Sequence, residues 1–83
     1  MDFAPIYTDK EKESLKKEIT VNIGQKIRTL RQQKGLSMEQ LAFLLDSNKQ
    51  NIYKIEKGLY CPTIATLFFI SKALDCEIRE LLS

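Results

Sequence analysis

Leu36 to Gly58 reads LSMEQLAFLLDSNKQNIYKIEKG, and this stretch decides the fold. Ser37 is a helix N-cap, and Leu41, Ala42, Leu44 and Leu45 supply the apolar face of the short helix it opens. Asp46, Ser47 and Asn48 form a three-residue turn. Asp46 can take the positive φ that such a turn needs, though less comfortably than glycine. Asn48 is a good cap for the next helix, predicted over Lys49 to Lys57, with Ile52 and Ile55 facing inward. Gly58 ends it.

The chain around this stretch is helical throughout. Ile23, Ile27 and Leu30 fall at helical spacing and predict a first helix from about Val21 to Lys34, ended by Gly35. Downstream, Leu59 to Pro62 reads as a loop. Thr63 caps a fourth helix with Ile64, Leu67, Phe68, Ile70, Ser71 and Leu74 near the core. Asp75 marks a break, and a short fifth helix over about Glu77 to Leu82 buries Ile78, Leu81 and Leu82. Strand-like alternation and internal repeats are lacking. The reading is all-α: five short helices with short connections.

Residues 1–19 look different. Asp9 to Glu18 is a dense charge run, DKEKESLKKE, with Asp9 as a candidate cap. The expected organisation is a charged arm over 1–19, flexible or partly helical, followed by one domain over 20–83. Net charge is +2 over 83 residues, but the middle of the chain holds most of the positive charge. Residues 20–60 carry net +4, while 1–19 and 61–83 carry −1 each. A central basic segment is the footprint of a phosphate-binding face.

Composition excludes other chemistries. The sequence contains no histidine, so Ser-His-Asp and Cys-His relays and His-containing metal sites are ruled out. Cys61 and Cys76 are too few for a four-cysteine zinc site and are expected as reduced thiols, at least partly buried. No apolar run approaches a membrane span. Met1 to Lys12 lacks the form of a secretory signal, so a cytoplasmic location is expected. No catalysis, metal, cofactor or small-molecule ligand is expected, nor a separate sensor domain within these 83 residues.

Two short helices joined by a tight turn can hold the second across a duplex while the first braces it. Ala42 supplies the small residue where they touch. From about Ile23 to Leu82 the chain resembles the lambda-repressor/Cro-like (Xre-type) helix-turn-helix family. The shared features are R-x-x-K-G-L-S (Arg31 to Ser37), Leu41-Ala42, I-E-K-G (Ile55 to Gly58), Pro62-Thr63 and L-x-x-I-S-K-A-L (Leu67 to Leu74).

The resemblance implies a five-helix DNA-binding domain and a transcriptional regulator that binds double-stranded DNA, commonly as a homodimer on a two-fold operator. Small proteins of this kind include phage repressors, restriction–modification controllers and antitoxins, and the residues do not choose among them. By the same resemblance Lys49, Gln50 and Asn51, with Lys54 one turn on, occupy the places that reach base edges. Gln and Asn pair bidentately with adenine, and Lys donates to guanine. Tyr53 can touch a thymine methyl or a phosphate, or simply lie on the surface. Ser37, Asn48, Lys57, the Leu59 backbone and Tyr60 are candidates for backbone phosphates, and Ser37 and Asn48 are equally plain caps. The resemblance also implies an ion pair of Arg31 with Glu56.

Six places depart from the family pattern. Met38 stands where glutamine often contacts phosphate. Ser47 replaces an apolar turn residue, which leaves the turn less anchored. Glu77 replaces a Ser/Thr cap, which leaves the fifth helix free to begin elsewhere. Phe43, Leu44 and Phe69 stand at usually polar positions, which suggests either a partner surface or cover from Phe3, Ile6, Tyr7 and Leu15 of the arm. A protein-interaction module on the same fold is therefore the alternative to DNA binding.

Overall fold

A computed structural model describes residues 3–83 and contains five helices: α1 (Asp9–Gln33), α2 (Met38–Leu44), α3 (Lys49–Glu56), α4 (Ile64–Ala73) and α5 (Ile78–Leu82). Among the described residues there are no strands. Residues 1 and 2 of the expected arm lie outside the described residues.

The first helix is much longer than its apolar periodicity predicts. It begins at Asp9 rather than near Val21 and runs unbroken past residue 20. Its cap is Thr8, not Asp9. Thr8 Oγ1 accepts from the Glu11 N–H at 3.1 Å, and Glu11 Oε1 accepts from the Thr8 N–H at 2.9 Å. This reciprocal box satisfies two of the four free donors at the helix start. The same bonds hold the Glu11 carboxyl below its ordinary range. Nothing in α1 is buried before Thr20, whose hydroxyl donates to the Lys16 carbonyl at 2.7 Å. The N-terminal half of α1 therefore projects from the body, and the molecule measures 52 × 22 × 20 Å.

Four helix ends share one device. Gly35, Asp46, Gly58 and Asp75 each adopt positive φ, between 51° and 74°. In each case the following N–H donates five residues back, to Arg31, Ala42, Lys54 and Ser71. This is the left-handed C′ closure that satisfies the last carbonyls of a helix. Both aspartates accept it where glycine is the usual choice. Glu77 is nonetheless the N-cap of α5, so the helix does not begin elsewhere, and Glu80 rather than a Ser/Thr hydroxyl is the capping group. Its carboxylate accepts from the Glu77 N–H at 2.7 Å.

The core consists of Ile23 and Ile27 from α1, Leu41 and Ala42 from α2, and Ile52 and Ile55 from α3, closed by Leu67, Ile70, Leu74 and Leu81. Four residues assigned to the interior are exposed instead: Leu44, Ile64, Phe68 and Leu82. In α4 the apolar residues run all round the helix, and only the face of Leu67, Ile70 and Leu74 has helices to meet. On α2, Leu45 takes the inward place and Leu44 is turned out. Cys61 is exposed, contrary to expectation, and Cys76 is half-buried, where burial pushes its thiol pKa up.

At Gly24 two helices approach closely. A Cβ there would lie 2.3 Å from the Ile55 carbonyl oxygen and 2.9 Å from that of Glu56. Glycine thus lets α1 lie directly on the backbone at the end of α3. Gly24→Ala is expected to cost about 3 kcal/mol, the upper end of overpacking, because the obstacles are main-chain atoms that cannot rotate away. Urea denaturation measures it, and an unchanged midpoint would show that the crossing is looser than described. Separately, the lowered Glu11 carboxyl stabilises the α1 start above its unfolded value and loses that effect as pH falls through the lowered one. Cα chemical shifts of residues 9–12 should therefore move towards coil first on acidification.

Candidate nucleic-acid interface

Each helix of the central pair is set by its own cap. Ser37 Oγ accepts from the Gln40 N–H at 3.0 Å, and Gln40 Oε1 accepts from the Ser37 N–H at 2.8 Å. Asn48 Oδ1 accepts from the Asn51 N–H at 2.9 Å. Between them the Ser47 N–H donates to the Ala42 carbonyl at 2.8 Å, and Ser47 Oγ accepts from Asn51 Nδ2 at 3.1 Å. Ser47 therefore ties the turn to α3 through hydrogen bonds, and the expectation of a less anchored turn is corrected. Met38 is half-buried and packs against the core.

Two anchors hold α3 from behind. Ile52 and Ile55 are buried, and Glu56 receives the Arg31 guanidinium as a fork. Arg31 Nε donates to Glu56 Oε2 at 2.6 Å and Nη2 to Oε1 at 2.9 Å. The third arm, Nη1, donates to the Leu36 carbonyl at 2.8 Å. One side chain thus joins α1, the loop that opens α2 and the end of α3. Both charged groups are buried, with 7% and 5% of their residue surface exposed. The bonds to Glu56 raise the Arg31 pKa above the usual guanidinium value.

The outward face of α3 follows from its 100° step per residue. With Ile52, Ile55 and Glu56 inward, Gln50, Tyr53, Lys54 and Lys57 face solvent, and all four are exposed. Lys57 Nζ lies 5.7 Å from the centre of the Tyr53 ring, within cation–π reach. Lys49 and Asn51 sit on the two flanks. Lys49 Nζ is 3.7 Å from Glu39 Oε1 of α2, an exposed pair that water screens. Asn51 is half-buried and spends one amide donor on Ser47. The three consecutive polar residues after the cap therefore do not all point outward, and among the described residues Gln50 alone of them has no side-chain partner. Tyr60 lies exposed in the loop that follows.

Phe43, Leu44 and Phe69 are exposed at 85%, 56% and 60%. The arm does not cover them, since Phe3 and Ile6 are themselves almost wholly exposed. Sequence reasoning misses Gly24. Its signal is a lone glycine on the inward face of a helix, one turn before Ile27, which marks a close backbone approach.

The model of a helix-turn-helix family, HTH_3, matches residues 27–81. The chain belongs to this family. Its HTH_3 domain is 39% identical to the restriction-modification controller protein C.AhdI of Aeromonas hydrophila. The two superpose with a TM-score of 0.72 over 75% of this chain and 94% of that one. An HTH_3 family transcriptional regulator of Vibrio cholerae superposes with a TM-score of 0.75 at 30% identity, over 80% of this chain and 37% of that one. An uncharacterized HTH-type transcriptional regulator of Rickettsia prowazekii is 45% identical over 56 residues, which are 68% of this chain and 43% of that protein. The competence pilus inhibition repressor of Acinetobacter baylyi is 31% identical over 61 residues, or 74% of this chain and 56% of that one. The matched region thus spans less than two thirds of these last two proteins. The fold is the lambda-repressor-like five-helix arrangement of the HTH_3 family.

Arg31→Met should destabilise the HTH_3 domain by about 3–5 kcal/mol, because Glu56 would stay buried without its partner. Arg31→Met with Glu56→Leu should recover most of that loss. Denaturant midpoints of the single and double variants decide the matter, and equal losses in both would mean that the pair itself, rather than the orphaned charge, carries the stability.

Proposed function

We propose that the chain is a sequence-specific transcriptional regulator that binds double-stranded DNA with α3 in the major groove. The observation that carries this reading is the outer face of α3. It offers Gln50 and Lys54, exposed and unpaired, on a helix held rigidly from behind by Ile52, Ile55 and the Arg31–Glu56 fork. A reading head needs both free donors and acceptors at base height and a backbone that does not yield. The names of the relatives, regulators and repressors among them, point the same way.

Gln50 and Lys54 carry most of the base reading. Lys49 joins them by leaving the weak, exposed contact with Glu39. Asn51 contributes the part of its amide that Ser47 does not use. Ser37, Asn48, Tyr53, Lys57 and Tyr60 meet phosphates and set the register. Arg31 and Glu56 are architectural. The reading needs no cofactor and no catalysis, and the working compartment is the cytoplasm. No described helix is long and apolar enough to cross a membrane.

A homodimer on a two-fold operator completes the reading. Ile64, Phe68 and Phe69 form an exposed apolar face on α4, with Lys72 Nζ 5.2 Å from the Phe68 ring centre. Such a face is costly in water and suits a matching copy across a two-fold axis. The second reading is a protein-interaction module, favoured by one observation: Phe43 stands 85% exposed away from that face's helix, on α2.

Selection from a random duplex pool at near-physiological salt tests the proposal. A two-fold symmetric motif is the expected result, and no enrichment by the folded protein would favour the interaction module. On the selected duplex, Gln50→Ala should relax preference at one position of each half-site and cost about 1–3 kcal/mol there. Lys57→Ala should weaken all duplexes alike. Phe69→Glu should yield a monomer in analytical ultracentrifugation, and an unchanged mass would place the dimer contact elsewhere.

A further inference from the structure

We propose that the projecting half of α1 is a second DNA-backbone element, in which Lys16 and Lys17 hold a phosphate beyond the base pairs that α3 reads. This rests on the operator-binding reading and extends it to a segment outside the family match, which begins only at residue 27.

The position of the two lysines carries the inference. Lys16 and Lys17 line one cleft with Gly58, Tyr60 and Cys61, the loop that leaves α3. That loop follows Lys57, the last of the exposed residues Gln50, Lys54 and Lys57, so the cleft lies at the C-terminal end of α3. The groups there suit an anion. Among the described residues, neither lysine has a carboxylate within ion-pairing distance, although Lys12, Lys34 and Lys49 each do. The Tyr60 and Cys61 N–H groups donate to no backbone acceptor among the described residues. Glu13 lines the same cleft one turn earlier, and two ammonium groups against one carboxylate leave the local balance positive.

The helix itself points the same way. Asp9 to Ile19 buries nothing, yet a full capping box starts it and it runs straight into the core-packed half. A helix that contributes no core is stable there because the packed half continues it, so Lys16 and Lys17 are presented on a rigid support rather than on a frayed tail. A phosphate held this way adds affinity without sequence preference and steepens the salt dependence of binding.

The test compares the full chain with K16Q/K17Q, and with K10Q as a control on the same helix but outside the cleft. Fluorescence anisotropy on the selected duplex is followed between 50 and 200 mM salt, roughly the range over which phosphate contacts are read out. The expected result for K16Q/K17Q is a log–log salt slope shallower by about 0.9 for each phosphate that the variant no longer holds. The preferred sequence should stay unchanged, and K10Q should behave like the parent. Lengthening the duplex past the half-sites should strengthen the parent and leave K16Q/K17Q unaffected. Equal slopes in parent and K16Q/K17Q overturn the inference while leaving operator binding intact, and so does an equal change in K10Q, which would mark a general charge effect. A parent that binds no duplex at all overturns the operator-binding reading and this one with it.

Discussion

The crossing of α1 over the end of α3 is the constraint on which the rest depends. Two features shape it. Gly24 removes the side chain that would strike the Ile55 and Glu56 carbonyls. The short distance this allows lets Arg31, two turns later, close a fork on Glu56. A buried ion pair is poor evidence of net stability, since desolvation offsets much of the attraction. Its value here is geometric. A planar guanidinium with three occupied arms fixes the direction of α3 relative to α1 and the loop at Leu36, which a greasy contact would leave freer to slide.

The helix ends do the remaining positioning. Short helices are marginal by themselves, so the angle of α3 to α2 depends on where each one stops. The left-handed residues at Gly35, Asp46, Gly58 and Asp75 set those stops to the residue, each with a hydrogen bond five positions back. Ser47 adds a side-chain tie to Asn51 inside the central turn. The consequence for function is a trade. The bond that steadies the turn engages one of the polar groups at the head of α3, which leaves Gln50 and Lys54, among the described residues, as the groups of its outer face without a side-chain partner.

The surface divides into two kinds of unsatisfied face. Along α3 and the following loop it is polar and cationic. On α4 and the end of α2 it is apolar, with aromatic rings in water that a core of ten residues has no room to take in. A domain this small buries a limited fraction of its surface, so an excess of large apolar residues must go outside. That excess gathers on one face of α4, at Ile64, Phe68 and Phe69.

Much of this was determined by the sequence alone, because it is local. Caps, stops and the spacing of Ile52 and Ile55 act within a turn or two of their own residue, so the five helices, the central turn and the polar head of α3 could be read along the chain. Even the Thr8–Glu11 box was legible as a spaced pair, though the charge run after it favours the reading of a frayed arm. Tertiary structure decided what depends on neighbours far along the chain. Periodicity shows that Ile64, Leu67, Phe68 and Ile70 are apolar, but only the presence of other helices on one side determines that Leu67 and Ile70 are covered and Ile64 and Phe68 are not. In the same way, Lys49 meets Glu39, Lys16 and Lys17 share a cleft with the loop after α3, and Gly24 matters because a carbonyl from the far end of α3 lies where its side chain would be.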